Sequence, residues 1–322
     1  MKKVLITGGS GYIGSHIISY LLKSSFQIIN FDLVTPIIEN EINFTNIKGD
    51  ICDTSFLISI FQEYKPDYVI HLAALTNVEE SELSPESYYF NNTFGTLSVL
   101  NAMQKSSTKN LIFSSTAAVY DLTQSKKFFC EEDDLDPMSV YGKSKLFSEK
   151  IILDFSKSHN LNYVIFRFFN VIGIDITNQF YKKNNNSKNL LPVIVDVLNK
   201  QKNELLIFGN DYETPDGTAI RDYIHVLDIV KANLKAIDHI DQNKNGLFNL
   251  GSGKGYSVLE VVNMFENISQ VKIKKRFVDR RVGDGELAIA SSKKANEFLN
   301  WNVKANYMEK AIQSLISGIE IR

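Results

Sequence analysis

A string of glycines between a short apolar run and a helical pattern constrains this chain more than any other feature. Val4-Leu-Ile6 leads into Gly8-Gly-Ser-Gly-Tyr-Ile-Gly14, and residues 13–22 carry the apolar spacing of a helix. The string fits G-x-G-x-x-G through Gly9, Gly11 and Gly14, and G-x-x-G-x-x-G through Gly8, Gly11 and Gly14. Such a pattern is informative where a strand ends and a helix begins, which is its setting here. Glycines there allow a tight turn and let backbone approach a pyrophosphate, whose charge meets the positive helix N-terminus. A second strand over residues 27–31 ends at Asp32, about 20 residues on, where a carboxylate can bind adenosine ribose hydroxyls. An acid at that point selects NAD over NADP, since a 2′-phosphate would meet like charge.

The rest of the first half repeats the strand–helix alternation. Gly49-Asp50-Ile51 precedes a helix expected over 54–64, and residues 66–73 read as a buried parallel strand because they are almost continuously apolar. Ser84-Pro85 is expected to open a long helix, with Ser as N-cap, that carries Asn91 and Asn92 and ends near 105. The strand at 110–116 breaks into hydroxyls at its carboxyl end, the edge where open α/β sheets bind ligands. Another strand follows at 163–168. This pattern predicts an α/β fold, a Rossmann-type doubly wound parallel sheet with a smaller C-terminal α+β lobe. The expected division is 1–169 for the dinucleotide domain, with 223–250 returning to it, and 170–322 for the substrate lobe. In that lobe we expect an exposed loop at 178–188, helices at 190–198 and 226–237, and a strand at 205–208. A charged, glycine-containing loop at 209–222, a strand and turn at 248–253, and an edge strand at 271–278 are also expected. Ser257-Val-Leu-Glu260 reads as a capping box, and two helical stretches close the chain.

At 322 residues the chain can bury a large core, and its net charge of −2 with mixed signs argues against nucleic acid as a partner. No apolar run approaches the roughly 20 residues needed to span a bilayer. The first residues are too briefly apolar for a secretory signal. Two cysteines, Cys52 and Cys130, make no metal site and fit a reducing compartment, so a cytoplasmic protein is expected.

One further motif carries chemistry. Ser139-Val-Tyr-Gly-Lys-Ser-Lys145 lies in a helical window, so Tyr141 and Lys145, four residues apart, share a face. An ammonium near a phenol favours the phenolate and would let Tyr141 act as a base below its ordinary pKa of about 10. Alone, such a pair is as readily two solvated residues on a surface helix.

Taken together, these stretches resemble the extended short-chain dehydrogenase/reductase superfamily. Gly8 to His16, His71-Leu-Ala-Ala74, Tyr141 to Lys145 and Asn189-Leu-Leu-Pro192 carry that resemblance. The long run from Ile207 to Asp228, with Phe248-Asn-Leu-Gly-Ser-Gly253 and Arg280-Arg-Val-Gly-Asp284, is similar to the UDP-glucose (UDP-galactose) 4-epimerase branch. The resemblance implies that Gly8, Gly11, Gly14, Tyr12 and Ile13 meet the NAD pyrophosphate, Asp32 the adenosine ribose, and Asp50 with Ile51 the adenine. It places Leu72, Ala73, Ala74, Thr76, Asn91 and Phe169 along the nicotinamide half. Tyr141 would be the catalytic base, Lys145 would bind the nicotinamide ribose, and Thr116 would share the substrate hydroxyl. The UDP contacts would be Asn170, Asn189, Phe208, Arg221, Arg281 and Asp284, with Ala288 near the sugar C2 substituent. The implied reaction inverts C4 of a UDP-hexose through a 4-keto sugar.

The chain departs from that branch at several points. Thr116 stands where a serine is usual, Thr76 for a lysine, Phe168 for a tyrosine and Leu33 for an asparagine. Ala288 is smaller than the tyrosine of some members, which leaves open whether N-acetylated sugars are also substrates. Dehydratases place Asp-Glu directly after the catalytic Thr, and decarboxylases commonly place a Glu there. Here those positions are Ala117 and Ala118, which argues against both lyases. A nucleotide-binding protein without turnover is the remaining alternative. By the same resemblance, helices near 84–105 and 140–158 would pair into a homodimer.

Overall fold

The computed structural model describes residues 1–35, 41–124, 126–178, 189–281, 285–303 and 307–320. The strands are β1 (Lys2–Thr7), β2 (Phe26–Asp32), β3 (Phe44–Lys48), β4 (Tyr68–His71), β5 (Asn110–Thr116), β6 (Asn162–Phe168) and β7 (Asn170–Ile172). They continue as β8 (Leu205–Phe208), β9 (Ile220–His225), β10 (Gly246–Leu250), β11 (Gly255–Ser257), β12 (Lys275–Val278) and β13 (Leu287–Ala288). The helices are α1 (Tyr12–Leu21), α2 (Thr54–Tyr64), α3 (Val78–Leu83), α4 (Pro85–Tyr88), α5 (Gly95–Ser106) and α6 (Val140–His159). After them come α7 (Leu190–Leu198), α8 (Val226–Asp241), α9 (Val258–Ser269), α10 (Lys293–Leu299) and α11 (Tyr307–Glu320). None of these helices is long and apolar enough to cross a membrane.

Seven strands form one parallel sheet in the order β10-β6-β5-β4-β1-β2-β3. The order reverses between β1 and β4, and the crevice at such a switch point is where open α/β sheets bind ligands. One face packs on α1, α8 and α10 through Ile17, Ile18, Ile229, Ile237 and Leu299. The other packs on α2, α5 and α6 through Leu57, Phe61, Val99, Met103 and Ile152. The strands inside the sheet are buried on both faces, which is why their sequences read as near-continuous apolar runs, while the edge strand β3 is only half-buried.

The remaining strands build a smaller unit. β9 pairs with β7, β11 and β13, and β8 pairs with β12. Its core joins Leu191 and Ile194 of α7, Ile207 of β8, Phe265 of α9 and Met308 and Ile312 of α11. The Ser257–Glu260 capping box is present, with Ser257 Oγ accepting from Glu260 N–H and the Glu260 carboxylate accepting from Ser257 N–H.

The structure alters several sequence expectations. Ser84 makes no side-chain cap, and the helix it was expected to start is interrupted by a π-helical segment at Tyr89–Phe94. A short helix, α3, precedes it. The strand expected over 271–278 is confined to Lys275–Val278 because a one-partner edge strand needs only the stretch that faces β8. β3, β7, β11 and β13 are short and carry weak alternation, so pattern reading passes over them. Of the loop expected at 178–188, only Asn178 lies within the described residues, and it is buried rather than exposed.

Candidate active site

The glycine turn, Asp32, Thr116 and the Tyr141–Lys145 pair lie at the carboxyl edge of the seven-stranded sheet, while Asn189, Phe208 and Arg221 lie in the smaller unit. After β1 the glycine turn closes with Gly11 N–H donating to Gly8 O at 3.1 Å, and Gly8 has φ +74°. A Cβ on Gly8 would come within 2.6 Å of Ala73 N, and one on Gly14 within 2.4 Å of Gly8 O. The turn therefore tolerates no side chain on the faces that meet β4's exit and α1. At Gly11 a Cβ would meet only Gly8 O, at 3.2 Å, so that side of the turn is open. Asp32 closes the other flank: its carboxylate accepts from Ser10 N–H at 2.9 Å and from Val34 N–H at 3.1 Å. Tyr12 and Ile13 begin α1, and the Tyr12 hydroxyl donates to Gly173 O just beyond β7, tying the turn to the smaller unit.

Asp50 is exposed and accepts from Cys52 N–H at 2.8 Å, while Ile51 is buried beneath Gly95. Leu72 N–H continues the β4 ladder by donating to Thr7 O at 3.0 Å, and Ala73 sits against Gly8. Ala74 is half-buried and Thr76 exposed. The residue that holds this loop is Asn92, which sequence reading noted without a role. Its side chain accepts from Leu75 N–H at 2.8 Å and donates to Leu75 O and to Ser144 Oγ, both at 3.0 Å. Asn91 is beside it and donates to Asn92 Oδ1 at 3.0 Å. Both lie in the π-helical segment, whose wider turn alters which side chains face the sheet.

Helix α6 brings Tyr141 and Lys145 to the end of β5. The Thr116 hydroxyl accepts from Ala118 N–H at 3.2 Å and lies near enough to Tyr141 to act on its phenol. Burial pushes the Tyr141 phenol above its ordinary value, and the Thr116 hydrogen bond works against that rise. Lys145 is only 3% exposed, with Nζ 4.2 Å from the centre of the Phe113 ring. Burial lowers its ammonium to about 7, and the charge of Glu149 one turn later opposes that fall. Glu149 and its partner Arg167, both buried, form an ion pair at 2.8 Å that sequence reading did not single out. Its signal is an acid four residues past Lys145 on the same helical stripe.

Phe169, Ala117 and Leu146 form an apolar cluster that also contains Ala288, so the smaller unit reaches the carboxyl edge of β5 at this point. Ala288 pairs with Arg221 in register on β13 and β9. The Arg221 guanidinium donates to the carbonyls of Ile220, Gly285 and Glu286 at 2.9, 2.7 and 3.3 Å. Arg281 lies with its guanidinium carbon 3.9 Å from the centre of the Phe208 ring, an arrangement that favours a cation over an aromatic face. Asn170 donates to Asp222 O at 3.1 Å, and Asn189 is exposed at the start of α7. Asp284 falls outside the described residues.

Comparison with known proteins agrees with this fold. A model of the NAD dependent epimerase/dehydratase family matches residues 4–251. A UDP-glucose 4-epimerase of Halalkalibacterium halodurans is 37% identical, aligned over 96% of this chain and 93% of its own. The crystal structure of UDP-glucose 4-epimerase from Bifidobacterium longum in complex with NAD+ and UDP superposes with a TM-score of 0.93. It is 33% identical and covers 100% of this chain and 99% of its own. A UDP-Glc/GlcNAc 4-epimerase from Campylobacter jejuni is 32% identical at a TM-score of 0.84, with both chains covered in full. Fold and similarity coincide along nearly the whole length, and the chain belongs to the NAD dependent epimerase/dehydratase family.

Proposed function

We propose that this protein is an NAD-dependent UDP-hexose 4-epimerase that interconverts UDP-glucose and UDP-galactose through a transient 4-keto sugar. The observation that carries the reading is the placement of Tyr141 next to Thr116 at the carboxyl end of β5, with Lys145 buried on the same helix over Phe113. The full-length similarity to UDP-glucose 4-epimerases supports it. We also assign a dinucleotide domain, 1–169 with 223–250, on whose sheet α10 also packs, and a substrate lobe built from the rest of 170–322.

The residues fit a dinucleotide. The open side of Gly11 and the first turn of α1 would take the pyrophosphate with Gly8, Gly14, Tyr12 and Ile13, and Asp32 the adenosine ribose. Asp50 and Ile51 would flank the adenine. Leu72, Ala73, Ala74, Thr76, Asn91, Lys145 and Phe169 would line the nicotinamide half. NAD, when bound, supplies the oxidant that accepts hydride from the sugar C4 and later returns it.

Tyr141, as phenolate, removes the proton from the sugar O4 hydroxyl, and the Thr116 hydroxyl shares that oxygen. Because burial alone holds the phenol protonated, ionisation depends on the Thr116 hydrogen bond and on positive charge nearby. Arg221, Arg281, Asn170, Asn189, Phe208 and Asp284 are assigned to the uridine diphosphate, and guanidinium groups suit a diphosphate through planar multidentate donors. The hexose must be held loosely, since a tight grip on the ground state would slow the turn that presents its other face. After that turn Tyr141 returns the proton and C4 is inverted. Ala117 and Ala118 offer no acid after Thr116, which disfavours a lyase outcome.

A second reading extends the substrate range. Ala288 is buried against Phe169 and Ala117, and its small side chain is compatible with an N-acetyl group at C2. We further assign a homodimer in which the helical stretches near 84–105 and 140–158 pair with those of a second copy. Its support is an exposed aromatic strip in which Phe90 and Phe94 stack at 5.1 Å and Tyr89 meets Phe147 at 5.9 Å. A cytoplasmic setting accords with Cys52 and Cys130 as free thiols.

The test is Tyr141→Phe, assayed by product analysis with UDP-glucose, UDP-galactose and their N-acetylated counterparts. Loss of C4 inversion with NAD still bound is the expected result. Wild-type turnover in the variant would overturn the assignment. Good turnover of UDP-galactose with none of UDP-GlcNAc would remove the second reading.

A further inference from the structure

The first-turn amides of a helix have no partner within it. In α6, Ser139 Oγ accepts from Gly142 N–H at 3.1 Å, an ordinary N-cap. The other two amides are capped from outside the helix. Val140 N–H donates to Glu82 Oε1 at 2.8 Å, and the N–H of Tyr141 itself donates to Ser81 Oγ at 3.1 Å. Ser81 is fully buried, and its hydroxyl donates to Val78 O at 2.6 Å within α3. Its contact with Glu82 Oε1 is longer, at 3.5 Å, so the proton points to Val78 O and the oxygen faces Tyr141 as an acceptor.

Helix α3 is in turn fixed to the loop that leaves β4. Asn77 caps it by accepting from Glu80 N–H at 3.2 Å. The Tyr88 hydroxyl grips the Asn77 main chain, accepting from its N–H at 3.1 Å and donating to its carbonyl at 2.6 Å. Asn92 grips Leu75 in the same two-sided way and also holds Ser144 Oγ, whose hydroxyl donates to Tyr141 O at 2.7 Å. Thus both main-chain polar groups of Tyr141 are reached by side chains linked to the 72–77 loop, Ser81 through α3 and Ser144 through Asn92.

We propose that Ser81 is the positioning residue for Tyr141, with Glu82 as a second anchor, so that α3 ties the base to the loop expected to line the nicotinamide half. This rests on the reading of Tyr141 as the acid–base group. Removal of the Ser81 hydroxyl leaves a buried amide without its acceptor and frees the first turn of α6 to shift. Displacements of about 1 Å at a reacting group cost up to about 100-fold in rate.

The experiment compares Ser81→Ala, Ser81→Thr, Glu82→Ala and Tyr141→Phe in the NAD-containing protein, with kcat, KM for UDP-galactose, retained NAD and the pH profile of kcat. Ser81→Ala should lose about tenfold in kcat with KM within about twofold and NAD retained. Its acid limb should move to higher pH, because a phenol displaced from Thr116 loses the hydrogen bond that lowers it. Ser81→Thr should restore most of the rate, and the surface change Glu82→Ala should give a smaller loss of the same kind. Unchanged kcat in both Ser81→Ala and Glu82→Ala overturns the proposal. So does a loss in Ser81→Ala that falls on NAD content in step with kcat, or one that Thr does not repair while Glu82→Ala is silent. Activity in Tyr141→Phe would instead overturn the functional reading itself, whatever Ser81 does.

Discussion

Glu149 and Asp222 are both buried carboxylates, one behind each half of the site, and they are satisfied in opposite ways. Glu149 on α6 meets a guanidinium: Arg167 Nε and Nη2 donate to it at 3.1 and 2.8 Å, and the Ser115 hydroxyl donates as well. Arg167 continues to the Tyr120 hydroxyl at 2.9 Å, which donates to Asn249 Oδ1 at 2.7 Å. Asp222 on β9 is caged by donors that are mostly backbone. Ser252 N–H and Oγ donate at 2.7 and 2.5 Å, Gly253 N–H at 2.9 Å and Ala290 N–H at 3.1 Å. The ion pair joins α6 to β6 beside Thr116, so it sets the helix that carries Tyr141 and Lys145 against the sheet. The cage joins β9 to the turn after β10 and the segment after β13, so it sets Arg221 and Ala288 relative to each other.

Electrostatics follows from the difference. Burial would lower Arg167, but the hydrogen bond and charge of Glu149 win and raise it. Burial raises the Asp222 carboxyl to about 6, and its hydroxyl and amide donors only partly hold it down. A full countercharge outweighs desolvation where neutral dipoles do not.

The sharpest way to break the contrast is to remove one member of the ion pair. Glu149→Ala should cost about 3–5 kcal/mol in urea unfolding, because it leaves a guanidinium buried without its charge. Glu149→Leu combined with Arg167→Met should recover most of that loss; a double variant as unstable as the single would show that packing, not charge, is responsible. Asp222→Asn should cost less, about 1–3 kcal/mol, since the new amide turns a donor toward the cage's own donors. A variant as stable as the parent would mean that the cage carries no net stabilisation.

The smallest effect is a slope. With Asp222 raised from 3.8 to about 6, the folded chain holds more protons than the unfolded one between those values. Its contribution is therefore fully present below pH 3.8 and lost as pH rises through 6. Lys145 works in another window: its value falls from 10.5 to about 7, so the unfolded chain holds more protons there and stability rises with pH from 7 to 10.5. Subtracting the unfolding profile of Asp222→Asn from that of the parent should isolate the acid slope, and the reverse sign would contradict the cage account.

Much of the fold was legible in the residues. The glycine turn, Asp32, α2 over 54–64, α7 over 190–198 and β8 over 205–208 fall where the patterns put them, because each rests on local chemistry. The π-helical segment was not legible, since the weak helix formers of Tyr89–Phe94 show that a regular helix is disfavoured but not which wider turn replaces it. Its widened turn is decided by what Asn92 reaches across the chain. Ser81 and Glu82 were missed for the same reason, as their partners lie roughly 60 positions away and no spacing rule connects them.

The sequence by itself determined the elements that depend on near neighbours: a strand, a glycine turn and a helix in succession, and a helix that shows Tyr141 and Lys145 on one face. It also determined, through resemblance, the family to which those elements belong. Tertiary structure alone decided how the side chains are held. Burial raises Tyr141 and lowers Lys145, and contacts distant in sequence supply Thr116, Ser81, Asn92, Arg167 and the cage around Asp222. Propensity and period act over a few residues, whereas desolvation and hydrogen-bond satisfaction depend on everything that closes around a group.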